Sequence, residues 1–426
     1  MRTFRSFPAG ETQNIKTQML DWLSRFNICC FLDNHLYNLP GHSQECLAAA
    51  GCLSCTHDRY NNLESAGEFI EHHQDWIFGH LGYDLKNETE GLHSRHPDYI
   101  GFPDSFFFVP EYVLMLEGGS LLIGSINDDH EKVFKEIVEG RRVSKKQNKF
   151  TILQRVEKDE YVETIKKLKQ HILRGDCYEI NFCQEYFAED AVIDPVVVYR
   201  QLSEISPNPF SAFYRVDDRY VLCASPERYV KKTGHEIISQ PIKGTALRDQ
   251  ENKVNDEARK EELFTSEKDR AENVMVVDLV RNDLSKVCIE GTVTVEELFG
   301  VYAFPQVHQM ISTVKGTLKS GIEFQDIIRA SFPMGSMTGA PKRRVMELIE
   351  QYEKTKRGIF SGALGYINPA KDLDFNVVIR SILYNARDQY LSFLTGSGIT
   401  FYSDPEKEYD ECQWKASAIK KVLESE

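Results

Sequence analysis

The chain has 426 residues, long enough for two domain-sized units or one large composite fold, and its apolar content is ordinary for a globular protein. With 51 Lys+Arg against 65 Asp+Glu its net charge is −14, which argues against nucleic acid and against a polybasic membrane patch but leaves room for a small anionic substrate in a local cationic pocket. No apolar run approaches a membrane span, Met1-Arg2-Thr3-Phe4 does not lead into a signal-peptide core, and the ten cysteines are spread rather than framed, so a cytoplasmic protein with reduced thiols is expected.

Residues 1–130 mix short strand-like runs with loops. The apolar runs 29–32, 106–109 and 112–116 predict buried strands, and the glycine-punctuated run 76–83 reads as core. Residues 29–38 read as a strand and loop with no signature of a regulatory ligand pocket. Cys46, Cys52, Cys55 and His57 include one Cys-x-x-Cys, the spacing of half a zinc site or of a redox pair. No second pair follows, and Gly51 and Ser54 suit an ordinary loop. The polar, basic stretch 139–149 reads as a linker or exposed loop, separating an N-terminal region 1–145 from a region 150–426.

Beyond Asp159, Tyr161, Ile165, Leu168, Ile172 and Leu173 recur at helical spacing, with Gly175 as a stop and a strand over 178–182. The remaining alternation of helices and strands favours helices covering sheets, a mixed α/β architecture. Glu227 follows the strand-like 220–224, where a carboxylate can reach into a cleft, although a lone glutamate there is more often a solvated loop residue. Lys243 stands in Gln240-Pro241-Ile242-Lys243-Gly244-Thr245, the one charge among small, apolar and turn-forming neighbours. Burial there would lower its pKa and free a nucleophilic lone pair; a surface lysine at a strand end is the plainer alternative.

A helix from Glu267 places Asp269, Glu272, Val276, Leu279 and Asp283 on one face. Its carboxylates are either salt-bridged or oxygen ligands for Mg²⁺, which takes one or two carboxylates and keeps waters. The segment 331–342 is a loop entering a helix, with Pro341 as first helical residue, Val345, Leu348, Ile349 and Tyr352 as the buried stripe, and Lys342, Arg343 and Arg344 placed to hold an anion. Residues 395–399 read as a Gly-rich turn offering backbone N–H groups to a carboxylate. Asp404 then caps a helix begun by Pro405, on which Glu408, Glu411 and Lys415 share a face. Two helices, each with two carboxylates on one face, suit a shared Mg²⁺ site.

These segments, in this order, resemble the chorismate-utilising enzymes, which comprise anthranilate, aminodeoxychorismate, isochorismate and salicylate synthases. The resemblance covers roughly 150–426 and rests on SPERY at 225–229, PIKGT at 241–245, EKDRAENVMVVDLVRNDLSKV at 267–287, FPMGSMTGAPK at 332–342, RGIFSGALGY at 357–366, VVIRS at 377–381, GSGI at 396–399 and DPEKEYDE at 404–411. It implies an α+β (mixed α/β) fold like anthranilate synthase component I, with two antiparallel-rich sheets flanked by helices in a four-layer α/β/β/α sandwich. Anthranilate synthases resemble one another in carrying Pro-Ile-Ala-Gly-Thr where this chain has Lys243. The lysine resembles instead the aminodeoxychorismate synthase component I branch, which aminates chorismate at C4 on the way to p-aminobenzoate and folate. Glu179 stands where isochorismate and salicylate synthases place a water-activating lysine.

The resemblance further implies site roles. Mg²⁺ on Glu272 and Glu411, with Asp269 and Glu408 nearby, would hold the ring carboxylate of chorismate. Glu227 would protonate the departing C4 hydroxyl, and Lys243 would attack C2 before ammonia adds at C4. Ile242, Gly244 and Thr245 would line the substrate; Arg380, Lys415 and the amides around Gly396 and Gly398 would hold its carboxylates. Ammonia would come from a separate glutaminase (glutamine amidotransferase) subunit, since the chain shows no glutaminase-like nucleophile elbow. Two positions depart from the family pattern: Phe360 replaces a tyrosine, and Gln309 stands where relatives often have histidine, with His308 pointing elsewhere if the segment is a strand. Two other readings remain: anthranilate synthase component I, and a non-catalytic relative that binds chorismate or an aromatic amino acid.

Overall fold

The computed structural model describes residues 1–37, 44–56 and 62–424, so Asn38 and His57 lie outside the described residues. Two antiparallel sheets form the body. The larger runs in the order Thr3–Pro8, Ser120–Ser125, Tyr112–Glu117, Cys46–Ala50, Ile28–Asp33, Phe210–Val216, Arg219–Ser225, Ser381–Asn385, Tyr390–Ile399, Glu179–Ala188 and Gly339–Ala340. The smaller runs Ile242–Leu247, Val307–Thr317, Glu236–Gln240, Arg228–Thr233, Leu373–Val377, Ala363–Ile367, Ile77–Leu81, Ser105–Val109 and Ser54–Cys55, with Thr294–Ala303 also paired to Val307–Thr317. Strands from before and after the 139–149 stretch share both sheets: Ile28–Asp33 pairs with Phe210–Val216, and Ile77–Leu81 with Ala363–Ile367.

Alternation along the strands explains the layering. In Ile28–Asp33, Cys30 faces the layer between the sheets while Cys29 and Phe31 face the outer helices. Leu47 and Ala49 likewise point inward, and Cys46, Ala48 and Ala50 outward. Phe78, Phe106 and Phe108 fill the intersheet layer from the smaller sheet, while Phe107 turns to the outer face against Phe324 of the helix Phe324–Ser331. Each such fully buried ring contributes about 1.5–3 kcal/mol, so this layer is the main cohesive element. The helices Thr12–Leu23, His130–Glu139, Pro195–Ile205 and Pro405–Glu424 pack on the larger sheet, and Leu63–His72, Glu267–Val287 and Phe324–Ser331 on the smaller. The result is the four-layer α/β/β/α sandwich implied by the resemblance.

Local readings hold with shifts. The strand predicted over 178–182 runs on to Ala188, and the helix beginning near Tyr161 spans Lys158–Leu173, with Gly175 beyond its end at φ +81°. Asp404 caps Pro405–Glu424 as expected, its Oδ1 accepting from the amides of Glu406 and Lys407 at 3.1 Å each. Pro341 does not enter the helix: it is the residue before it, and Lys342–Tyr352 is the helical span. Cys46 lies in the larger sheet and Cys55 in the smaller, so the cysteine cluster is divided between two layers. The 139–149 stretch is largely exposed but tethered, with Asp194 taking the Arg142 guanidinium and the Lys145 amide. Among the described residues no helix is long and apolar enough to cross a membrane.

Candidate active site

Two chain crossings between the sheets lie side by side and set the geometry of the site. At the first, Ser225 ends a strand of the larger sheet and Arg228 opens one of the smaller, so Glu227 sits on the corner between them. At the second, residues 378–380 carry the chain from Leu373–Val377 back to Ser381–Asn385, delivering Arg380. Backbone bonds tie each crossing: Val377 N–H donates to Glu227 O at 3.0 Å, and Ala224 N–H to Arg380 O at 3.2 Å. Both residues line a cavity of about 710 Å³, together with Ile242, Lys243, Gly244, Thr245, Asp269, Glu272, Gly396, Gly398, Glu411 and Lys415. Of the site residues read from the sequence, only Glu408 lies off its wall, buried close behind it at 3% exposure.

Lys243 reaches the cavity through a β-bulge. Ile242 pairs with Ile311 and Thr245 with Gln309, so three steps on one strand face two on the other and the extra residue re-aims the side chain. Gly244 completes the bulge at φ +89°, where an added Cβ would also lie 3.0 Å from Asp269 Cβ. The Lys243 ammonium donates to Glu179 Oε1 at 2.5 Å, and the lysine side chain is 11% exposed. Burial opposes its charge, but Glu179, Glu272 and Glu227 outweigh burial and hold its pKa above the ordinary lysine value. The expected neutral amine is therefore not the resting state; a nearby carboxylate that the sequence reading left outside the site reverses the effect of desolvation.

Glu227 is 5% exposed, and burial pushes its carboxyl up to about 7 against the opposing pull of Ser336, Lys243 and the Ile242 amide. A proton donor is thus available near neutral pH at the corner of the cavity. Arg380 is a cation with burial acting against its charge, opposed by Glu411, and it lies over the Trp414 ring at 5.7 Å. Lys415 bonds Gly396 O at 2.8 Å and Glu411 Oε1 at 2.6 Å. Two cations on one wall suit a substrate with two carboxylates.

The four acidic residues come from two helices, Asp269 and Glu272 from Glu267–Val287 and Glu408 and Glu411 from Pro405–Glu424. Among the described residues no three of them close to metal-ligand distance; instead they surround the Lys268 ammonium. Burial acts against that charge, yet Glu272, Glu408, Glu411 and Asp269 together hold the Lys268 pKa above its ordinary value. Lys268 Nζ lies 3.8 Å from Glu272 Oε1, which is buried and has no hydrogen bond among the described residues. Burial raises Glu272 to about 7, with Lys243 and Lys268 opposing and Glu179 and Asp269 adding to it. An all-oxygen cluster that already draws in a cation and leaves a buried carboxylate oxygen unbonded fits a hard divalent ion.

The family model described as chorismate binding enzyme matches residues 40–421. The chain belongs to this family. It is similar to aminodeoxychorismate synthase component 1 of Bacillus subtilis (strain 168), at 33% identity over 402 residues covering 90% of this chain and 84% of the relative. It is also similar to that of Escherichia coli (strain K12), at 33% over 355 residues, covering 82% and 77%. Among solved structures, anthranilate synthase component I from Streptococcus pneumoniae TIGR4 superposes with a TM-score of 0.76 at 25% identity, covering 91% of this chain and 93% of that one. The protein is a chorismate-utilising enzyme, and the match reaches well into the N-terminal region, beyond the motifs that first carried the resemblance.

Seen as a site of this family, the cavity also corrects several readings. The Gly-rich segment 395–399 is not a turn: Tyr390–Ile399 is one unbroken strand. Its glycines answer a tertiary need, since a Cβ on Gly396 would lie 2.4 Å from Cys183 Sγ. A Cβ on Gly398 would lie 2.8 Å from Glu179 Oε1 and 2.9 Å from Lys243 Nζ. Gly398→Ala is therefore expected to fold, because the displaced atoms are side-chain ends, but to shift the lysine. A displacement of about 1 Å costs about 10²-fold in turnover, so thermal unfolding and steady-state rates measured together check this. The basic run after Pro341 is engaged with the protein's own acceptors: Lys342 bonds Asp283 at 2.7 Å and Ser331 O at 3.1 Å, Arg343 bonds Glu90 O, and Arg344 pairs with Glu347. Asp283 is thereby drawn off the site.

Phe360 lines the cavity as an apolar wall, and Gln309 lines it with a buried Oε1 that has no hydrogen-bond partner among the described residues. His308 turns to the other face and bonds Asp256 Oδ1 at 2.9 Å, as alternation on a strand requires. Glu179, 1% exposed and bonded to Lys243, is the carboxylate beside the site that sequence reasoning left off its list. Its signal was present as a carboxylate opening a buried strand, but its lysine partner lies 64 positions away.

Proposed function

We propose that this chain aminates chorismate at C4 to give 4-amino-4-deoxychorismate, with ammonia supplied by a separate glutamine amidotransferase subunit. The observation that carries the reading is Lys243, re-aimed by a bulge into the same cavity as a carboxyl titrating near 7. The similar proteins of Bacillus subtilis and Escherichia coli are named as component 1 of aminodeoxychorismate synthase, which supports a partner subunit for this chain as well.

Glu272 and Glu411 would hold Mg²⁺, with Asp269 beside them on the wall and Glu408 behind, and the ion would supply positive charge to the ring carboxylate. Arg380 and Lys415 orient the two carboxylates, together with the backbone around Gly396 and Gly398. Glu227 protonates the C4 hydroxyl as it leaves. Lys243, once deprotonated, bonds to C2, and ammonia then adds at C4 as the lysine departs. Phe360 supplies shape without a hydrogen bond.

The test is product identity. With chorismate, Mg²⁺ and ammonium, mass spectrometry is expected to find aminodeoxychorismate, converted to p-aminobenzoate only when an aminodeoxychorismate lyase is added. Chelation of Mg²⁺ is expected to abolish turnover. Anthranilate with pyruvate would replace this reading by the anthranilate one, and absence of any turnover would favour a binding-only relative.

A further inference from the structure

We propose that Glu179 is the proton acceptor that turns Lys243 from an ammonium into the attacking amine, a step that rests on the C4-amination reading. Glu179 is fixed at the start of a buried strand, and Lys243 by its bulge on the opposite sheet, so neither backbone has slack. A 2.5 Å hydrogen bond joins Lys243 Nζ to Glu179 Oε1, and Glu179 Oε2 is buried without a partner among the described residues. Gly398 keeps the approach open, since any Cβ there would press on both atoms of the bond. The other charges facing the lysine are Glu227 from the sheet crossing, Glu272 from Glu267–Val287 and Glu411 from Pro405–Glu424. Among the described residues none of them has a hydrogen bond to its Nζ, so the direct route for the proton is the bond to Glu179.

The step balances without a further reactant. The Nζ–H bond breaks as Oε1–H forms. The lone pair on Nζ makes the bond to C2, the ring double bonds shift, and C4–O breaks with the Glu227 proton leaving in water. Ammonia forms the C4–N bond while C2–Nζ breaks. The proton shed by the new C4 ammonium reloads Glu227, and Glu179 returns its proton to Lys243.

Glu179→Gln keeps the shape and loses the acceptor. Below pH 7, where Glu227 holds its proton, wild-type kcat/KM for chorismate at fixed free ammonia is expected to stay level. In Glu179→Gln it is expected to fall about tenfold per pH unit, because the lysine proton must then go to solvent. Glu179→Asp is expected to restore a level profile at a lower rate. Equal slopes in wild type and Glu179→Gln would overturn the proposal. A second readout needs no turnover: acetic anhydride labelling of Lys243, followed by peptide mass spectrometry without chorismate. Loss of the paired charge is expected to speed labelling about tenfold or more at pH 8, a change of at least one pKa unit, and equal labelling would also overturn it. Faster labelling in Glu179→Gln than in wild type, with a wild-type chain that makes no aminodeoxychorismate, would overturn the amination reading, and the transfer step with it, while leaving the ion pair in place.

Discussion

Glu227→Gln is expected to cut chorismate turnover by about 10²–10⁴-fold, the usual worth of a general acid. The glutamine keeps the volume and can still donate a hydrogen bond, but it has no proton to give to a departing hydroxyl. The same residue predicts opposite effects on activity and stability. Burial raises its folded pKa from 4.5 to about 7, so between those values the native state binds more protons than the unfolded one. Stability from this group is therefore greatest below about pH 4.5 and is lost as pH rises toward 7. The penalty above pH 7 is on the order of 3 kcal/mol. Glu227→Gln removes it, and at pH 8 the variant is expected to be more stable than wild type in denaturant titration while remaining inactive. Wild-type kcat/KM should decline above about pH 7 as the acid is lost. A variant that kept its rate, or a wild-type rate still level at pH 9, would remove Glu227 from the acid's role.

Most of the candidate site was legible in the sequence because Glu227, Lys243, Arg380 and the acidic residues sit in local motifs, and helix spacing alone put Asp269 with Glu272 and Glu408 with Glu411. The fold was legible in its layers but not in its pairings. Ile28–Asp33 meets Phe210–Val216 across about 180 positions, and no local pattern encodes a partner at that distance. The glycines at 396 and 398 show the converse. Thr-Gly-Ser-Gly has turn composition, and the turn reading was locally sound. What overrides it is close approach from Cys183, Glu179 and Lys243, each on another element. Burial of Lys243 was also foreseeable, but the sign of its pKa shift was not, since that depended on Glu179 arriving from the far sheet.

Lys243→Ala is expected to do two separable things. It removes the nucleophile, and a loss of about 10³-fold or more in aminodeoxychorismate formation corresponds to about 4 kcal/mol of barrier. It also strands Glu179, whose carboxylate is 2% exposed and would keep no hydrogen bond. Breaking a buried pair from one side costs about 3–5 kcal/mol, so the variant should unfold at clearly lower denaturant. A drop in activity alone would then be ambiguous. The double variant Lys243→Ala/Glu179→Gln separates the two effects: a neutral amide in place of the stranded charge is expected to recover most of the stability and none of the turnover. If the double variant regained activity along with its fold, Lys243 would be a charge that shapes the pocket and not the group that attacks C2. If neither variant lost stability, the 2.5 Å contact would not hold in solution, and the proton path through Glu179 would fall with it.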